Sequence, residues 1–184
     1  MSDLLHISGG PTKPEVIAIS LSKLELKDGD TFVDVGCGTG AVSIAASNHV
    51  NDLKIHAIDA REEAVEVARK NFETTGTTAN LIFGEVSKVL SQQSGIDKID
   101  CAFVGGTKNI HQVLEHLLGK GTRNIVVNAV RIETVVSTMQ KMRELGIFDE
   151  VLNIAVSRGK EISGETMFQP ENPIYIIVGK SRSN

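Results

Sequence analysis

A glycine-rich segment between a short apolar strand and a helix constrains the fold more than any other feature of the sequence. Residues 34–40 read DVGCGTG; they begin within the apolar stretch Thr31–Val35 and precede the small-residue stretch Ala41–Ser47. Three glycines at alternate positions let the backbone turn sharply and leave space for a ligand against the main chain. The helix behind the turn offers unpaired N–H groups at its N-terminus. We therefore expect a ligand site within an α/β sheet.

Strand and helix patterns alternate along most of the 184 residues. The predicted strands are Thr31–Val35, Lys54–Ile58, Ala79–Phe83, Lys98–Val104, Arg123–Ala129, Phe148–Val156 and Pro173–Val178. The predicted helices are Lys13–Leu26, Ala41–Ser47, Glu62–Thr74, Ile110–Leu118 and an amphipathic helix from Ile132 to Met142. Because such alternation favours a parallel sheet covered on both faces, we predict one α/β domain over residues 1–184 with a mainly parallel sheet. The last two strands lack a helix between them, which predicts an antiparallel C-terminal strand.

Acidic residues near the glycine segment indicate the kind of ligand. A dinucleotide-binding turn would carry its third glycine where Ala41 stands, and a P-loop would end in Gly-Lys-Ser/Thr, so the segment matches neither of these phosphate-binding turns. Asp34 at the mouth of the turn would repel a pyrophosphate, but it suits the ammonium and sulfonium groups of S-adenosylmethionine (SAM). Asp59 ends the second predicted strand, where a carboxylate can accept hydrogen bonds from both ribose hydroxyls. Glu85 and Val86 follow the third strand, where we expect the edge of the cofactor's adenine ring to lie.

Charge and composition restrict the setting of this site. The chain has a net charge of −4, one Tyr and no Trp. Nucleic-acid affinity usually depends on a basic surface, and an extruded base is stacked between aromatic or apolar side chains, so both observations argue against a nucleic-acid substrate. The sequence shows no leader peptide and no membrane-spanning apolar run, and Cys37 and Cys101 form no CxxC pair. We therefore expect a cytoplasmic protein without membrane association.

Several segments resemble known methyltransferases. VDVGCGTG at residues 33–40, followed by AID at 57–59, resembles the class I SAM-dependent methyltransferases. Further segments at both ends of the chain and after the fourth strand narrow this resemblance. They are GGPTKPEV at 9–16, VGG at 104–106, NIAVSRGK at 153–160, Thr166-Met167 and Asn172-Pro173. Over essentially its whole length the chain is similar to the CbiT family, the decarboxylating cobalt-precorrin-6B methyltransferases of corrin biosynthesis.

The resemblance implies a Rossmann-like class I methyltransferase fold with a seven-stranded sheet. It implies methyl transfer to carbon 15 of the cobalt-precorrin, loss of CO2 from the acetate on carbon 12, a homotetramer, and the carbon-5 precorrin methyltransferase as a functional partner. With the glycine segment, it predicts these cofactor-binding residues: Thr12, Asp34, Gly36, Cys37, Gly38, Thr39, Gly40, Asp59, Glu85 and Val86. The acceptor carbon belongs to an electron-rich ring that can attack a methyl group without a strong base. No catalytic acid or base is therefore assigned.

The substrate implied by the resemblance bears many carboxylates, which require cationic partners. Methyltransferases that act on the amino groups of bases carry Asp/Asn-Pro-Pro-aromatic after the fourth strand, whereas this chain has a neutral glycine pair that leaves space. Basic residues between the last two strands could form a lid. The candidate substrate-binding residues are Lys13, Gly105, Gly106, Arg131, Glu133, Arg158 and Lys160, with Lys108 as a further cation and Glu133 as an orienting group or proton donor. The five scattered histidines indicate no metal site.

Two other functions remain open from the residues alone. One is a class I methyltransferase that acts on RNA, for example on a tRNA adenine, since the glycine segment is shared across the class. The other is a SAM-binding module without turnover that supports a partner methyltransferase.

Overall fold

A seven-stranded sheet flanked by helices organises the computed structural model, which describes residues 4–7, 10–91 and 95–181. Gly9, in the N-terminal GGPTKPEV segment, lies outside the described residues. The strands are β1 (Thr31–Val35), β2 (Lys54–Asp59), β3 (Asn80–Phe83), β4 (Cys101–Val104), β5 (Asn124–Ala129), β6 (Phe148–Ile154), β7 (Ser157–Ile162), β8 (Glu165–Pro170) and β9 (Ile174–Lys180). The helices are α1 (Pro14–Leu24), α2 (Ala41–Ser47), α3 (Glu62–Thr75), α4 (Val86–Ser91), α5 (Ile110–Gly119) and α6 (Ile132–Glu144).

The strand order of the large sheet is β3-β2-β1-β4-β5-β9-β6. Strands β1 to β5 pair in parallel, and β9 is antiparallel to both of its neighbours, β5 and β6. The prediction of a mainly parallel seven-stranded α/β sheet with an antiparallel C-terminal strand is therefore confirmed. The chain order reverses between β1 and β4, so their carboxyl ends border the crevice in which open sheets of this kind bind ligands.

Both faces of the sheet are covered, which explains why the central strands are mostly apolar and do not alternate between apolar and polar residues. In β1, Phe32 packs into the cluster that includes α1 and α2, whereas Val33 and Val35 pack into the cluster that includes α5. Asp34 is fully buried in the same strand. No helix in the described part of the chain has the length and apolar character needed to cross a membrane.

Helix α4 was not predicted, because its six residues are too few to show a helical period. It is stabilised at its N-terminus by the preceding Glu85, whose carboxylate accepts hydrogen bonds from Ser87 Oγ (2.6 Å), Ser87 N (3.2 Å) and Lys88 N (3.1 Å). A side chain that satisfies free N–H groups in this way is a capping interaction. The first of those bonds contributes most to lowering the pKa of Glu85 to about 2.

The hairpin of β7 and β8 was also missed by the sequence prediction, which placed no strands between β6 and β9. Its two strands form a separate two-stranded sheet in which every residue is exposed. Because neither face packs on the core of this chain, the hairpin lacks the apolar alternation that identifies a strand. Its turn contains Ser163 and Gly164, both with positive φ, as the type I′ hairpin turn requires.

Candidate active site at the carboxyl ends of the parallel strands

The glycine loop that follows β1 is held between the ends of β2 and β4 by backbone hydrogen bonds. Gly36 N donates to Ile58 O at 2.8 Å, and Gly105 N and Gly106 N donate to Val35 O at 2.8 and 3.1 Å. Gly36 has a φ of +72°, and a Cβ there would lie 2.6 Å from Gly106 N. The loop therefore needs glycine at position 36 both for its backbone angle and for its contact with the β4 end.

Asp59 lies at the end of β2 with 3% of its surface exposed. One carboxylate oxygen accepts bonds from Arg61 N (3.0 Å) and Arg61 Nε (3.1 Å), and the other from Gly38 N (2.9 Å) and Arg61 Nη2 (3.0 Å). Burial opposes ionisation, but the hydrogen bonds from Arg61 and Gly38 outweigh it and hold the pKa of Asp59 below its usual value. Asp59 thus links the glycine loop to the start of α3.

Asp34 lies beneath the glycine loop, which corrects the predicted position at its mouth. Its side chain leaves β1 towards α2, where Oδ2 accepts hydrogen bonds from Ser43 Oγ (2.6 Å) and Ser43 N (3.2 Å). The other oxygen, Oδ1, is buried and has no hydrogen-bond partner among the described residues. Burial, with a smaller contribution from the charge of Asp59, raises the pKa of Asp34 to about 7.

A cavity of about 190 Å³ lies against the loop and is called the loop cavity here. It is lined by Ile7, Gly10, Pro11, Thr12, Gly36, Cys37, Gly38, Thr39, Ala41, Val42, Arg61 and Gly105. Five predicted cofactor-binding residues are in this lining, and Gly40 lies behind it at the N-cap of α2. Burial raises the pKa of the Cys37 thiol, so this thiol stays protonated and is not available as a nucleophile.

Asn71 and Arg61 are site residues that the sequence reasoning did not identify. Asn71 is buried and joins the N-terminal segment to the loop. Its Oδ1 accepts a hydrogen bond from Leu5 N (2.8 Å), and its Nδ2 donates to Leu5 O (3.1 Å) and Thr39 O (2.9 Å). Both residues lie in or next to helical sequence with no local motif. The helical spacing of α3 puts Asn71 on the buried side of the helix, and a buried side-chain amide is usually hydrogen-bonded, so this was the one signal that could have identified it.

A second cavity of about 290 Å³ adjoins the first and is called the outer cavity here. It is lined by Gly10, Pro11, Thr12, Lys13, Gly105, Thr107, Asn128, Ala129, Val130 and Ile174. The two cavities share Gly10, Pro11, Thr12 and Gly105, so they meet at the end of β4. Lys13 and Gly105 were predicted near the substrate, whereas Asn128 on β5 was not.

An ion-pair network joins the start of α1 to the hairpin. Arg158 Nη1 lies 2.7 Å from Glu15 Oε1, and Arg158 Nε lies 2.9 Å from Glu171 Oε1. Lys13 Nζ lies 3.0 Å from Glu171 Oε2 and donates to Asn172 O at 2.7 Å. The hydrogen bond from Arg158 lowers the pKa of Glu15 to about 2. Lys13 and Arg158, both predicted as partners of substrate carboxylates, therefore already have carboxylate partners within the chain.

The remaining predicted residues lie outside the linings of the two cavities. Arg131 precedes α6 and Glu133 is in its first turn, and both are exposed, as is Lys160 on β7. Gly106 contacts the backbone of Gly36. Val86 is buried in the core at the start of α4, and the carboxylate of Glu85 caps that helix. The described residues contain no group of three or more His, Cys, Asp or Glu side chains able to hold a metal ion.

The sheet order, the glycine loop after β1 and the acidic end of β2 define a class I SAM-dependent methyltransferase fold. Within this class, the chain belongs to the precorrin methyltransferase family. The family model described as "Precorrin methyltransferase domain" matches residues 3–180. The resemblance drawn from the sequence segments is thereby confirmed.

Similar proteins carry consistent names. A Methanosarcina acetivorans protein named "Probable cobalt-precorrin-6B C(15)-methyltransferase (decarboxylating)" is 60% identical over 184 residues, covering 100% of both chains. The structure of precorrin 8W decarboxylase from Methanobacterium thermoautotrophicum is 29% identical, with a TM-score of 0.88 and 98% of both chains covered. Precorrin-6Y C5,15-methyltransferase from Geobacter metallireducens is 26% identical, with a TM-score of 0.86 and coverage of 98% and 96%.

We predict that Gly36→Ala destabilises the chain far more than Gly76→Ala. Both glycines have similar positive φ angles, +72° and +67°, but a Cβ at Gly76 meets nothing within 4 Å. Gly76→Ala should lower the free energy of unfolding by about 1 kcal/mol through backbone strain. Gly36→Ala should lower it by about 2–4 kcal/mol more, because its Cβ would meet the β4 end. Urea unfolding measures both values, and equal losses would contradict the role given to the Gly36–Gly106 contact.

Proposed function

We propose that this chain transfers a methyl group from SAM to carbon 15 of cobalt-precorrin-6B and removes CO2 from the acetate on carbon 12. The observation that carries the proposal is the full-length match at 60% identity to a protein named for this reaction. The structure adds two adjoining cavities at the carboxyl ends of the parallel strands. One is bordered by the glycine loop, and the other opens beside it at the neutral end of β4.

The loop region has the chemistry that SAM requires. Asp59 has the position of a ribose acceptor, and the loop backbone allows close approach of the methionine part. Asp34 beneath the loop has a buried oxygen without a partner among the described residues. Above the pKa of Asp34, two carboxylates under one loop favour a ligand with a positive sulfonium over a neutral one. Bound SAM supplies an electrophilic methyl group, and we place this group near Gly105, where the cavities meet.

The outer cavity has features suited to the two steps on the substrate. Gly105 carries no side chain, so a ring carbon can approach the methyl group, and the main task of the protein is then alignment. Pro11, Val130 and Ile174 give part of the wall an apolar surface. In the decarboxylation, the bond between the acetate CH2 and its carboxylate breaks, its electron pair enters the conjugated ring, and a proton from solvent then converts the CH2 carbon into a methyl group. Desolvation of the carboxylate favours this loss of charge.

The proposal includes the cytoplasm as location and the carbon-5 precorrin methyltransferase as functional partner. Cys37 and Cys101 are free and buried, which suits a reducing compartment. The name of the Geobacter protein joins carbon 5 and carbon 15, which supports a connection between the two methylations. An RNA substrate is disfavoured by the net charge of −4 and by the absence of an Asp/Asn-Pro-Pro-aromatic sequence after β4.

Incubation of the protein with SAM and cobalt-precorrin-6B should give a product that has gained one methyl group and lost CO2. Mass spectrometry follows both changes, and labelled SAM with tRNA serves as the comparison reaction. Methyl incorporation into tRNA without any change in the corrinoid would favour the RNA alternative. Cofactor binding without any methylated product would favour the non-catalytic module.

The affinity for SAM should rise with pH through the pKa of Asp34, which is about 7. Below that pKa the carboxyl group is protonated and neutral, so binding of the positively charged cofactor requires loss of a proton. Affinity should therefore fall by up to about tenfold per pH unit over the two units below the pKa. Calorimetry at several pH values measures this slope.

Two controls separate Asp34 from other groups in this titration. S-adenosylhomocysteine (SAH) lacks the sulfonium charge and should show a shallower slope than SAM. Asp34→Asn retains an oxygen for Ser43 but cannot ionise, and it should make the affinity for SAM independent of pH in this range. An equally steep slope for Asp34→Asn would contradict the assignment.

The proposal also includes a homo-oligomer, with the homotetramer implied by the family resemblance as the expected state. The β7–β8 hairpin exposes Ile162 (53%), Met167 (57%) and Phe168 (74%) to solvent in the single chain. An isolated two-stranded hairpin is marginally stable in water, and its free edges can pair with another strand. A second copy of the chain, which brings the same apolar hairpin and the same free edges, would cover these side chains.

Phe168→Asp should shift the protein towards monomers, because it places a charge in the contact between copies. Val136→Asp introduces the same charge at an exposed apolar residue of α6, which is 46% exposed, and should leave the assembly unchanged. Sedimentation velocity at several concentrations measures both. A wild-type protein that stays monomeric at high concentration would contradict the oligomer.

A further inference from the structure

The Arg61 side chain fills hydrogen-bond acceptor positions of Asp59 that a bound ribose would need. A carboxylate offers about four acceptor positions, two on each oxygen. In Asp59 four hydrogen bonds are present, of which Gly38 N and Arg61 N supply one to each oxygen. The Arg61 side chain supplies the other two, from Nε to Oδ1 (3.1 Å) and from Nη2 to Oδ2 (3.0 Å). The side-chain bonds therefore fill one acceptor position on each oxygen.

A ribose diol needs the same two positions. Its neighbouring hydroxyls form two parallel bonds to a carboxylate, as the planar guanidinium does. The two backbone bonds come from the folded loop and from the start of α3, and they persist as long as these elements are folded. Only the Arg61 side chain can leave without disturbing the backbone.

The surroundings of Arg61 favour its displacement. Its side chain is 57% exposed, whereas the Asp59 side chain is 4% exposed. Arg61 also lines the loop cavity, and its Nη2 lies 3.8 Å from the place of a Cβ at Gly38. The guanidinium therefore lies over the loop at the edge of the cavity, and it becomes hydrated when it moves away, whereas Asp59 stays buried and needs a new partner.

We propose that the Arg61 side chain is a displaceable competitor that holds Asp59 in the absence of cofactor and lowers the affinity for every ligand that carries the ribose diol. This inference rests on the proposed function only in that SAM is the cofactor. Because Arg61 leaves as the ribose hydroxyls arrive, the buried carboxylate of Asp59 always has a hydrogen-bond partner. It also favours release of the product SAH, because Arg61 returns to Asp59 when the ribose leaves.

The test compares Arg61→Ala with Arg69→Ala. Arg69 lies on α3, which begins directly after Arg61; it is 52% exposed and pairs with Glu66, so its removal changes the net charge equally without touching Asp59. Arg61→Ala should tighten the binding of SAM and of SAH by about three- to tenfold, as expected for loss of one partly exposed bidentate ion pair. Arg69→Ala should change both affinities less than twofold. Calorimetry measures the dissociation constants, and thermal unfolding verifies that each variant is folded.

A ligand control locates the effect at the ribose. The gain from Arg61→Ala should be smaller for 2′-deoxy-SAH, which offers only one hydroxyl to Asp59. Arg61→Lys keeps the charge but loses the planar fork, so its affinity for SAH should lie between those of the wild type and Arg61→Ala. The lysine variant also provides the measurement if the alanine variant fails to fold.

The outcomes separate this inference from the proposed function. Unchanged or weaker SAH binding by Arg61→Ala, with normal binding by the wild type, would overturn the competition and leave the methyltransferase proposal intact. Binding of SAH by Arg61→Ala but not by the wild type would support the proposal that Arg61 competes strongly for Asp59. Absence of SAM and SAH binding in the wild type and in both Arg61 variants would overturn both proposals.

Discussion

The contact between the glycine loop and the end of β4 is the constraint on which the rest of the site depends. Val35 O accepts hydrogen bonds from the amides of both Gly105 and Gly106, and Gly36 N is bonded to the end of β2. Three neighbouring strands thus end at one fixed backbone junction. A side chain on Gly36 would separate the loop from β4. Since both cavities meet at Gly105, the same junction sets the distance between a bound cofactor and whatever occupies the outer cavity.

The parts of this site that follow from backbone periodicity could be predicted from the sequence. The buried strands are largely apolar, and the carboxyl ends of parallel strands meet at one edge, so the sequence predicted that the loop and Asp59 lie together. In the structure Gly38 N of the loop donates a hydrogen bond to Asp59. The short helix α4 and the exposed hairpin β7–β8 were missed because neither produces a period of buried residues. Their formation depends on local capping by Glu85 and on turn chemistry at Gly164.

Side-chain partners were harder to predict than positions, because they depend on residues distant in the sequence. Lys13 and Arg158 were predicted as partners of substrate carboxylates, yet they form ion pairs with Glu171, and Arg158 also pairs with Glu15. The Arg158–Glu15 pair spans 143 residues, so no local pattern reveals it. Asp34 was assigned to the loop mouth from its place in the motif, but the direction of its side chain follows from strand alternation and from Ser43 on α2.

The electrostatics of the two cavities differ in a way that suits the transfer of a methyl group from a cation. Beneath the loop, Asp59 and, above its pKa of about 7, Asp34 supply negative charge that is shielded from water, which stabilises a sulfonium more than a neutral thioether. After transfer, the cofactor product is neutral and loses this stabilisation, while Arg61 can return to Asp59. In the outer cavity, Lys13 already has Glu171 as a partner, so its charge is balanced within the protein. In the proposed reaction, a substrate carboxylate beside Lys13 would therefore receive little cationic stabilisation, which favours its loss as CO2.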